Sequence, residues 1–422
     1  MKLVTFLNNL GLGGTEKAAC RWACGLRARG HQVTMVTLQD GPRRAELEAG
    51  GVIIRVVDAA ARNIAVELSR LSPEAIHVHA PGHPHEGDVL GEALALLPKI
   101  PVVQTNIFGH LTNPREDAWT DFRLFISWTS CVQAARRGFR KLDENFFRRA
   151  SVAVYPLDPA EPASAAAVAD FRRQLGVGAD EVLFGRLSRP EPNKWTGLAL
   201  DAFRLARRKN PKIKLLLREP PPVVAAALRA APDAARFVIL PATAAADELR
   251  LTISALDVVL HTSSIGESFG YGIAEPMNLG KPVITHSVPW QDQAQLELVR
   301  HGEGGFVAST PAAMAKKILT LAADGDLRAR LGATAREKIR ALAAPETSLN
   351  RIEAVLQAVV EKRDNPFAAA DLAQACAAAE YLDAHQFGHT LGEQFALRPF
   401  HYCVRFHQFR QTLGSQFGLS RG

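Results

Sequence analysis

The chain has 422 residues, too many for one hydrophobic core, so two domains of roughly 150–200 residues are expected. Its composition, 47% hydrophobic and 22% charged, is that of an ordinary globular protein, and the lack of any apolar run near ~20 residues excludes a membrane-spanning helix. The formal net charge of +7 suits polyanionic substrates, nucleic acid or an anionic membrane face and does not distinguish among them.

The first third of the chain is predicted to alternate strands and helices. Residues 2–7 form a short apolar run with no small-residue cleavage site after it, so they are interpreted as a strand rather than a signal peptide, and the cytoplasm is the expected compartment. A helix is predicted over 14–30. Further strands are predicted at 31–38, 51–57, 75–79, 101–105, 124–127 and 151–155. This alternation implies a parallel sheet with helices on both faces.

A break in the pattern follows at 156–167, where three prolines and few core residues indicate an interdomain linker. The alternation then restarts, with strands predicted at 181–187, 212–219, 236–241, 256–262 and 281–286. The predicted fold is therefore α/β, with two Rossmann-like doubly wound parallel-sheet domains, residues 1–160 and 168–345, that face a cleft. Ligands of such sheets bind at the carboxyl ends of the strands.

Beyond Thr310 the chain is predicted to be helical, at 311–323, 326–342, 346–362 and 367–384. The helix within 346–364 is expected to cross back to the first domain, and residues 365–422 are expected to form a helical, aromatic and basic extension. From Phe395 onward there are four Arg and neither Asp nor Glu. Such a tail could lie on anionic lipid head groups, pack against the protein or another copy, or stay disordered. No nucleic-acid module surrounds it, so nucleic acid is not an expected partner.

The first candidate site is the glycine-rich loop at 9–16, NLGLGGTE, between the first strand and the first helix. Gly13 and Gly14 allow the backbone to approach a ligand closely, and the helix start offers free N–H groups to an anion. Glu16 replaces the third glycine of a dinucleotide-binding fingerprint, which disfavours a nicotinamide dehydrogenase. A tight strand-to-helix turn without a ligand is the alternative.

The second candidate site is the loop at 185–194, GRLSRPEPNK, after the first strand of the second unit. Arg186 and Lys194 bracket this proline-stiffened loop, which leads into a helix. Two cations at the end of a parallel sheet suit a pyrophosphate, because they neutralise the charge that grows on a departing nucleoside diphosphate. A solvated basic turn is the alternative.

The third candidate site is the pair Glu267 and Glu275. Glu267 is predicted to lie just before a helix, and Glu275 a little over two turns into it. The first turn of this helix is expected to contain Ser268, Phe269 and Gly270. The carboxylates are then about 12 Å apart, too far to share one proton, but suited to the sugar hydroxyls and the ribose diol of one extended ligand. A capping carboxylate followed by an ordinary helix Glu is the alternative.

These patterns together resemble a known family. The E-x7-E spacing of Glu267 and Glu275, within GESFGYGIAEPMNLGKPVIT, resembles the donor-site signature of family-4 glycosyltransferases, which are retaining enzymes with the GT-B fold. GGTE, the loop of Arg186 and Lys194, and the strand order fall where that family has them, and the resemblance covers roughly residues 1–362. It implies transfer of a sugar from a nucleotide sugar, such as a UDP- or GDP-sugar, to a cell-envelope acceptor.

The resemblance also implies a role for each part of the site. Arg186 and Lys194 would hold the pyrophosphate, Glu267 would bind the transferred sugar, and these three would be catalytic. Glu275 would bind the ribose. Further donor contacts would come from Gly13, Gly14, Ser268, Phe269 and Gly270. In such enzymes the acceptor attacks on the face that the leaving group departs from, and a phosphate oxygen takes its proton, so no dedicated protein base is expected.

The sequence departs from the family at three places. The spacing from Arg186 to Lys194 is longer than in many relatives, with two prolines inserted. A histidine is common after the strand that corresponds to 101–105, whereas here Asn106 follows; its amide accepts a hydrogen bond from a sugar hydroxyl but carries no positive charge. The loop 287–299 replaces a glycine-rich turn. Its candidate polar contacts are Gln291, Asp292 and Gln295.

A histidine-rich segment, HVHAPGHPHEGD, begins at His77. Its histidines could contact the acceptor or the sugar, hold a metal, or be structural and loop residues, and His79 and His83 are the candidate acceptor contacts. The D-x-D at 324–326 is predicted to lie in a turn between helices, and the five cysteines form no C-x-x-C pair. Neither an essential metal nor another cofactor is expected.

Several other functions stay open. A nucleotide-sugar epimerase and a sugar phosphorylase can have the same fold, and a non-catalytic partner would bind the nucleotide sugar without turnover. For the glycosyltransferase, the expected acceptor is a saccharide or a lipid-linked precursor of lipopolysaccharide, capsule or another glycoconjugate. A lipid-linked acceptor would place the protein peripherally at the inner face of the cytoplasmic membrane.

Overall fold

A computed structural model of the chain describes residues 1–80, 88–109, 111, 114–138, 140–243, 245–399 and 402. These residues divide into two compact units. Unit 1 comprises Met1–Pro156 and Ala343–Glu380, and unit 2 comprises Leu157–Leu342 and the described residues from Tyr381 onward. The division after Glu380 falls within the last long helix of the chain.

Unit 1 is built on seven parallel strands. They are β1 (Lys2–Asn9), β2 (Gln32–Gln39), β3 (Ile53–Val56), β4 (Ala75–Ala80), β5 (Val102–Asn106), β6 (Phe122–Phe125) and β7 (Ala150–Val152). Their order in the sheet is β3-β2-β1-β4-β5-β6-β7. The connecting helices are α1 (Gly14–Ala28), α2 (Arg44–Ala49), α3 (Ala61–Leu71), α4 (Val89–Leu94), α5 (Pro114–Trp119), α6 (Trp128–Arg137) and α7 (Glu144–Phe147). β4 is buried along its whole length, as a central parallel strand covered on both faces should be.

Unit 2 contains a six-stranded parallel sheet and a separate pair of two-residue strands. The strands are β8 (Val182–Leu187), β9 (Ile213–Arg218), β10 (Phe237–Leu240), β11 (Val258–Leu260), β12 (Gly266–Glu267), β13 (Val283–Thr285), β14 (Asp292–Gln293) and β15 (Gly305–Val307). The main sheet has the order β10-β9-β8-β11-β13-β15, and β12 pairs with β14. Its core packs Phe184, Phe203 and Leu215 with Ile284 and Ile318.

The helices of unit 2 are α8 (Ala165–Gln174), α9 (Leu198–Arg207), α10 (Pro222–Arg229), α11 (Ala246–Ala255), α12 (Tyr271–Asn278), α13 (Ala294–Val299), α14 (Pro311–Ala323) and α15 (Gly325–Leu342). Two longer helices follow, α16 (Pro345–Val360) and α17 (Ala368–His385), and residues 391–399 are also helical. Within the described ranges, no helix combines the length and the apolar composition that a membrane span requires.

The structure confirms the predicted fold class of two parallel-sheet α/β units with a helical carboxy-terminal region. Each predicted strand is present, although many end one or two residues earlier or later. Three strands are missing from the sequence prediction: β12, β14 and β15. They are only two or three residues long, too short to produce an alternation of polar and apolar residues.

The proline-rich segment predicted as a linker is held against unit 2 from Asp158 onward. The carbonyl of Asp158 accepts a hydrogen bond from Asn278 Nδ2 (2.9 Å), and the amide of Ala163 donates to Ser254 Oγ (2.9 Å). Arg340 donates to the carbonyl of Ala160 (2.7 Å). The division between the two units falls at Pro156, and the rest of the segment is fixed by hydrogen bonds before α8 begins. The aromatic and basic tail lies outside the described residues at 400, 401 and from 403 onward.

Candidate functional site

The strand order of unit 2 reverses between β8 and β11. β9 and β10 lie on one side of β8, and β11, β13 and β15 lie on the other. In open α/β sheets, connections at such a position leave toward opposite faces, and a crevice forms at the carboxyl ends of the strands. Arg186 is next to last in β8, and His261 directly follows β11. The sheet thus brings both residues to the position where such folds bind ligands.

Arg186 is a buried cation with hydrogen-bond donors to spare. One nitrogen, Nη2, donates to the carbonyls of Lys194 and Thr262 (2.7 Å for Thr262), and the guanidinium lies 4.5 Å from the centre of the Trp195 ring. Burial lowers the pKa of Arg186 to about 9 against the opposing charge of Glu267, so the side chain is cationic at neutral pH. Nε and Nη1 are buried and have no partner in the described part of the chain. They can bind an anion.

The loop that carries Lys194 is pinned to the segment after β11. Residues Pro192–Lys194 form one turn of 3-10 helix, and the carbonyl of Asn193 accepts hydrogen bonds from both the amide and the hydroxyl of Ser264, each at 2.9 Å. Lys194 Nζ lies 2.7 Å from Glu267 Oε1, in an ion pair whose side chains are 16% and 12% exposed. The cation predicted for the pyrophosphate and the carboxylate predicted for the sugar are therefore in direct contact.

Glu267 is a carboxylate stabilised by two donors. Burial raises its pKa, but the charge of Lys194 and the hydrogen bond from His261 outweigh this effect and lower the pKa to about 2. Burial also lowers the pKa of His261, whose neutral ring carries its proton on Nε2 and donates to Glu267 Oε1 (3.0 Å). Both donors use Oε1, and Oε2 has no hydrogen-bond partner among the residues that the structure describes. Oε2 is therefore the atom through which Glu267 can accept a hydrogen bond from a hydroxyl group of a ligand.

The segment that follows Glu267 corrects one prediction. Ser268, Phe269 and Gly270 are not the first turn of a helix, because α12 begins only at Tyr271, and Gly270 is its N-cap, with φ 97°. Gly270 thus adopts the left-handed conformation that favours glycine. The amides of Phe269 and Gly270 precede the helix, and Ser268 Oγ donates to Asp292 Oδ2 (2.5 Å).

Glu275 therefore lies in the second turn of α12, where it is half-buried. Glu267 belongs to β12 and not to the same helix. The predicted separation of about 12 Å along one helix axis does not apply, because the chain turns at Gly270 between the two carboxylates.

A second layer of buried polar residues supports Glu267 from the segment 286–295. β14 pairs with β12, in a register that sets Gln293 opposite Glu267. Gln295 Oε1 accepts the amide of Glu267 (3.0 Å), and its Nε2 donates to the carbonyl of His286 (3.3 Å). Asp292 and Gln295, predicted as ligand contacts, thus hydrogen-bond the loop of Glu267. Gln291 is half-buried beside them.

In unit 1, the glycine-rich loop forms a tight turn at the start of α1. Gly13 is the N-cap, and Gly14 is the first residue of the helix. A Cβ on Gly13 would lie 2.2 Å from Glu16 Oε2, so the carboxylate of the first helical turn folds back against this glycine. A side chain larger than hydrogen does not fit at Gly13 without moving Glu16.

The other candidates in unit 1 lie at the carboxyl ends of β4 and β5. Asn106 and His79 are 1% and 4% exposed, and the His79 ring packs on Trp22 with centroids 5.7 Å apart. Burial keeps the pKa of His79 well below its ordinary value, and neither ring nitrogen has a partner within the described ranges. His83 lies outside the described residues.

The metal interpretation of the histidine-rich segment rests partly on His83, His85 and Glu86, which are outside the described residues. Elsewhere in the described chain, no three His, Cys, Asp or Glu side chains are grouped to hold a metal ion. In the D-x-D, Asp324 Oδ1 accepts the amide of Leu327 (2.8 Å), which is a cap at the start of α15.

Sequence reasoning missed His261, His286 and Trp195. His261 directly follows a buried strand that ends at the crevice, and this position is the signal that identifies it. His286 likewise follows β13, and burial lowers its pKa to about 3. Trp195 follows Lys194, but no local pattern indicates that its ring covers Arg186, because that contact depends on how the loop folds back.

Two sequence models of protein families match the chain. The family described as "Glycosyl transferases group 1" matches residues 180–324, which include Arg186, Lys194, Glu267 and Glu275. The "Glycosyl transferase 4-like domain" matches residues 13–184. No curated protein matches the chain in a sequence search.

Many solved structures share the fold. HepE from Anabaena, solved with UDP and glucose, is 20% identical, with a TM-score of 0.66 over 85% of this chain and 99% of that one. A glycosyltransferase from Rickettsia africae is 14% identical, with a TM-score of 0.70 over 85% and 98%. WaaG, a glycosyltransferase involved in lipopolysaccharide biosynthesis, is 13% identical, with a TM-score of 0.61 over 82% and 98%.

Proposed function

Because the chain is a glycosyltransferase with the GT-B fold, we propose that it is a retaining, family-4 type enzyme that transfers a sugar from a nucleoside diphosphate to a cell-envelope acceptor. The observation that carries this proposal is the contact between Lys194 and Glu267 beside the buried Arg186. Two cations and one carboxylate match the two parts of a nucleotide sugar: the anionic pyrophosphate and the neutral, hydroxyl-rich sugar.

Each side chain has a free atom for its proposed role. Arg186 offers Nε and Nη1 to the pyrophosphate. Lys194 donates one proton of its ammonium group to Glu267 and keeps two for a phosphate oxygen. Glu267 offers Oε2 to the hydroxyls of the transferred sugar. Lys194 would then touch both parts of the donor, which fixes the bond between them relative to the protein.

The charges also account for catalysis in this proposal. As the bond between the sugar and the diphosphate breaks, negative charge grows on the departing phosphate, and Arg186 and Lys194 are already in place to stabilise it. The acceptor would attack on the same face, with a phosphate oxygen as its proton acceptor. Glu267, with its pKa near 2, is ionised throughout the neutral range and accepts hydrogen bonds there instead of supplying a proton.

The remaining candidates complete the proposed donor and acceptor contacts. We assign the ribose to Glu275, the sugar to Ser268 and the amides of Phe269 and Gly270, and the donor phosphates to the loop of Gly13 and Gly14. For the acceptor or the sugar we propose Asn106, His79 and His83. No essential metal is part of the proposal, since two protein cations stand where a metal ion would otherwise neutralise the pyrophosphate.

The acceptor proposed is a saccharide or lipid-linked intermediate of lipopolysaccharide, capsule or another glycoconjugate. Its support is the involvement of WaaG in lipopolysaccharide biosynthesis together with three exposed apolar side chains near the carboxyl terminus. Leu391, Phe395 and Tyr402 are 74%, 79% and 66% exposed. With the arginines of the tail they suit a peripheral contact with an anionic, cytoplasmic membrane face. Vesicles with anionic lipid should sediment the protein, and neutral vesicles should not.

The proposed function is tested by thermal unfolding with a panel of UDP- and GDP-sugars in the presence of EDTA. A ligand at about 100 times its dissociation constant stabilises a protein by roughly 2.7 kcal/mol, so the true donor should raise the unfolding temperature clearly. Transfer with that donor and an acceptor extract should then retain the anomeric configuration, read by NMR. Isomerisation of the donor without acceptor would instead identify an epimerase, and no stabilisation by any nucleotide sugar would contradict the proposal.

A further inference from the structure

The residues from Tyr381 to 399, here called the C-terminal segment, pack onto unit 2 beyond the end of both family matches. The segment comprises the last turn of α17, a tight turn at Gly388 with φ 87°, and the helical residues 391–399. Its contacts are with the loops that follow β13 and β15 and with His301, in the loop before β15. These loops also support the candidate donor site.

Three polar contacts hold the C-terminal segment in place. The Tyr381 hydroxyl accepts the amide of His301 (3.2 Å). Glu393 Oε1 accepts the amide of Ser309 (2.5 Å). The carbonyl of Gln386 lies 2.5 Å from Ser287 Oγ.

Glu393 both caps the helical residues 391–399 of the segment and attaches the segment to Ser309. Its Oε2 accepts the amides of His389 (2.9 Å) and Thr390 (3.0 Å), and the Thr390 hydroxyl accepts the amide of Glu393 in return (3.2 Å). This reciprocal pair is a capping box at the start of the helical residues 391–399. Glu393 is 1% exposed, and both of its oxygens are occupied, one by the cap and one by Ser309. A tail without a specific docking site would not bury a carboxylate in this way.

A short path of hydrogen bonds connects this attachment to the strand next to Glu267. Ser309 Oγ accepts the amide of Ser287 (3.0 Å), and Ser287 Oγ lies 2.7 Å from Gln293 Oε1. Gln293 also accepts the amide of Val288 (3.1 Å) and belongs to β14, whose partner strand contains Glu267. The Ser287 hydroxyl has one proton, which can serve Gln293 or the carbonyl of Gln386 at any moment. Ser287 Oγ therefore lies within hydrogen-bond distance of both the C-terminal segment and the strand next to Glu267.

The side chains on this path are buried, except that of Ser309, which is half-buried. Ser287, Gln293 and Gln295 are at most 1% exposed. A buried polar group that loses its partner is costly, so the loops cannot separate from the C-terminal segment without disturbing one another.

We propose that the C-terminal segment is a positioning element of the donor site, which holds Glu267 through Ser309, Ser287 and the strand β14. The proposal rests on the proposed function, in which Glu267 binds the transferred sugar. Glu393 is a positioning residue that acts through Ser309 and the loop 286–295, whereas Tyr381 anchors the segment at His301.

The informative variant is Glu393→Gln, with Glu380→Gln as its matched control. In the wild type, one carboxylate oxygen of Glu393 accepts the cap and the other accepts the amide of Ser309. Glutamine has only one acceptor oxygen, so either the cap or the hydrogen bond from Ser309 is lost. Glu380 is an exposed carboxylate on α17, in the same helix that leads into the C-terminal segment. Ser309→Ala is a second variant that breaks the path without touching the cap.

Amide hydrogen exchange of the ligand-free protein tests whether the C-terminal segment stabilises the loops around Glu267, independently of donor binding. Glu393→Gln and Ser309→Ala should speed exchange in peptides that cover 262–270 and 286–295 roughly fivefold or more, the scale of one lost buried hydrogen bond. Exchange in β9 should stay unchanged, as should the whole pattern in Glu380→Gln. Unchanged exchange at 262–270 in both variants would overturn the proposal, whether or not the protein binds a nucleotide sugar.

Donor binding tests the functional link. The dissociation constant of the nucleotide sugar selected by the thermal panel should rise roughly fivefold to thirtyfold in Glu393→Gln, with the acceptor KM unchanged. This effect should disappear in a Glu267→Gln background, because the segment acts through Glu267. Additive effects of the two changes would overturn the proposal. Absence of nucleotide-sugar binding by the wild type would instead contradict the proposed function. The exchange experiment would still show whether the C-terminal segment stabilises the residues around Glu267.

Discussion

At Glu267, burial and charge pairing act in opposite directions on one carboxyl group. Burial favours the neutral acid, whereas Lys194 at 2.7 Å and the neutral His261 ring at 3.0 Å favour the carboxylate. The second effect is larger, and the group stays ionised far below neutral pH. The same contacts leave Lys194 shared between a carboxylate and the place proposed for a phosphate, so removing either residue changes the charge that the other experiences.

The replacement Lys194→Ala should lower the transfer rate about 10²- to 10³-fold, the scale of one lost charge-stabilising group. The matched control is Arg189→Ala, which removes an exposed cation of the same loop that pairs with Glu191 at 3.1 Å. Initial rates with the identified donor measure both. Equal rates for Lys194→Ala and the control would rule out the role of Lys194.

A second prediction concerns His261. His261→Leu removes a hydrogen bond that lowers the pKa of Glu267, so that pKa should rise and the acid limb of kcat/KM should move to higher pH. His261→Gln keeps an N–H donor, and its acid limb should move less. The pH profile of kcat/KM for all three proteins is the measurement, and superimposable profiles would show that His261 does not tune Glu267.

At the scale of elements, the position of Glu267 depends on a turn that only glycine can form. Gly266 has φ 63°, and a Cβ there would lie 2.0 Å from the carbonyl oxygen of Asp292. Gly270, the N-cap of α12, has φ 97°. The two glycines bend the chain on either side of Glu267, and β12 can therefore pair with β14 while the helix leaves in another direction.

Gly266→Ala should abolish detectable donor binding, because the new methyl group cannot coexist with the pairing of β12 and β14. Gly280→Ala is the control: Gly280 also has a positive φ, 73°, but the nearest atom to a Cβ would be 3.9 Å away. It should cost only the roughly 1–2 kcal/mol of a left-handed residue and leave donor affinity intact. Calorimetric titration with the donor and thermal unfolding measure the two effects, and normal binding by Gly266→Ala would contradict the described turn.

At the scale of the whole molecule, both units bury neutral histidines. Burial lowers the pKa of His77 in unit 1 to about 4, and burial together with neighbouring charges lowers that of His286 in unit 2 to about 3. In the unfolded chain these rings titrate near an ordinary value of ~6.5. Between pH ~6.5 and the pKa values of the folded state, the unfolded chain binds protons that the folded protein excludes. The histidines therefore cost no stability above pH ~6.5, and the free energy of unfolding falls as the pH drops toward those folded-state pKa values.

The midpoint of urea unfolding should therefore decrease from about pH 6.5 toward pH 4, with each such histidine contributing up to roughly 1.4 kcal/mol per pH unit. His77→Asn removes one titrating ring and should flatten the decrease. Glu267 acts in a lower window, since its stabilising contribution is complete above ~4.5 and is lost only as the pH falls through about 2. A midpoint that stays constant from pH 7 to 4.5 would contradict the burial of neutral histidines.

The two parallel-sheet units and most strand positions follow from the amino-acid sequence, because β-branched runs and helical spacing are local signals. The same local patterns select Arg186, Lys194 and Glu267, since each lies at the end of a strand or in the loop that follows one. Their contacts are a property of the tertiary structure: Lys194 and Glu267 are 73 residues apart in the chain, and only the reversal of strand order joins their loops. The start of α12 at Tyr271, the buried His261 and the docking of Glu393 likewise depend on long-range packing and positive φ angles, which no local pattern of residues encodes.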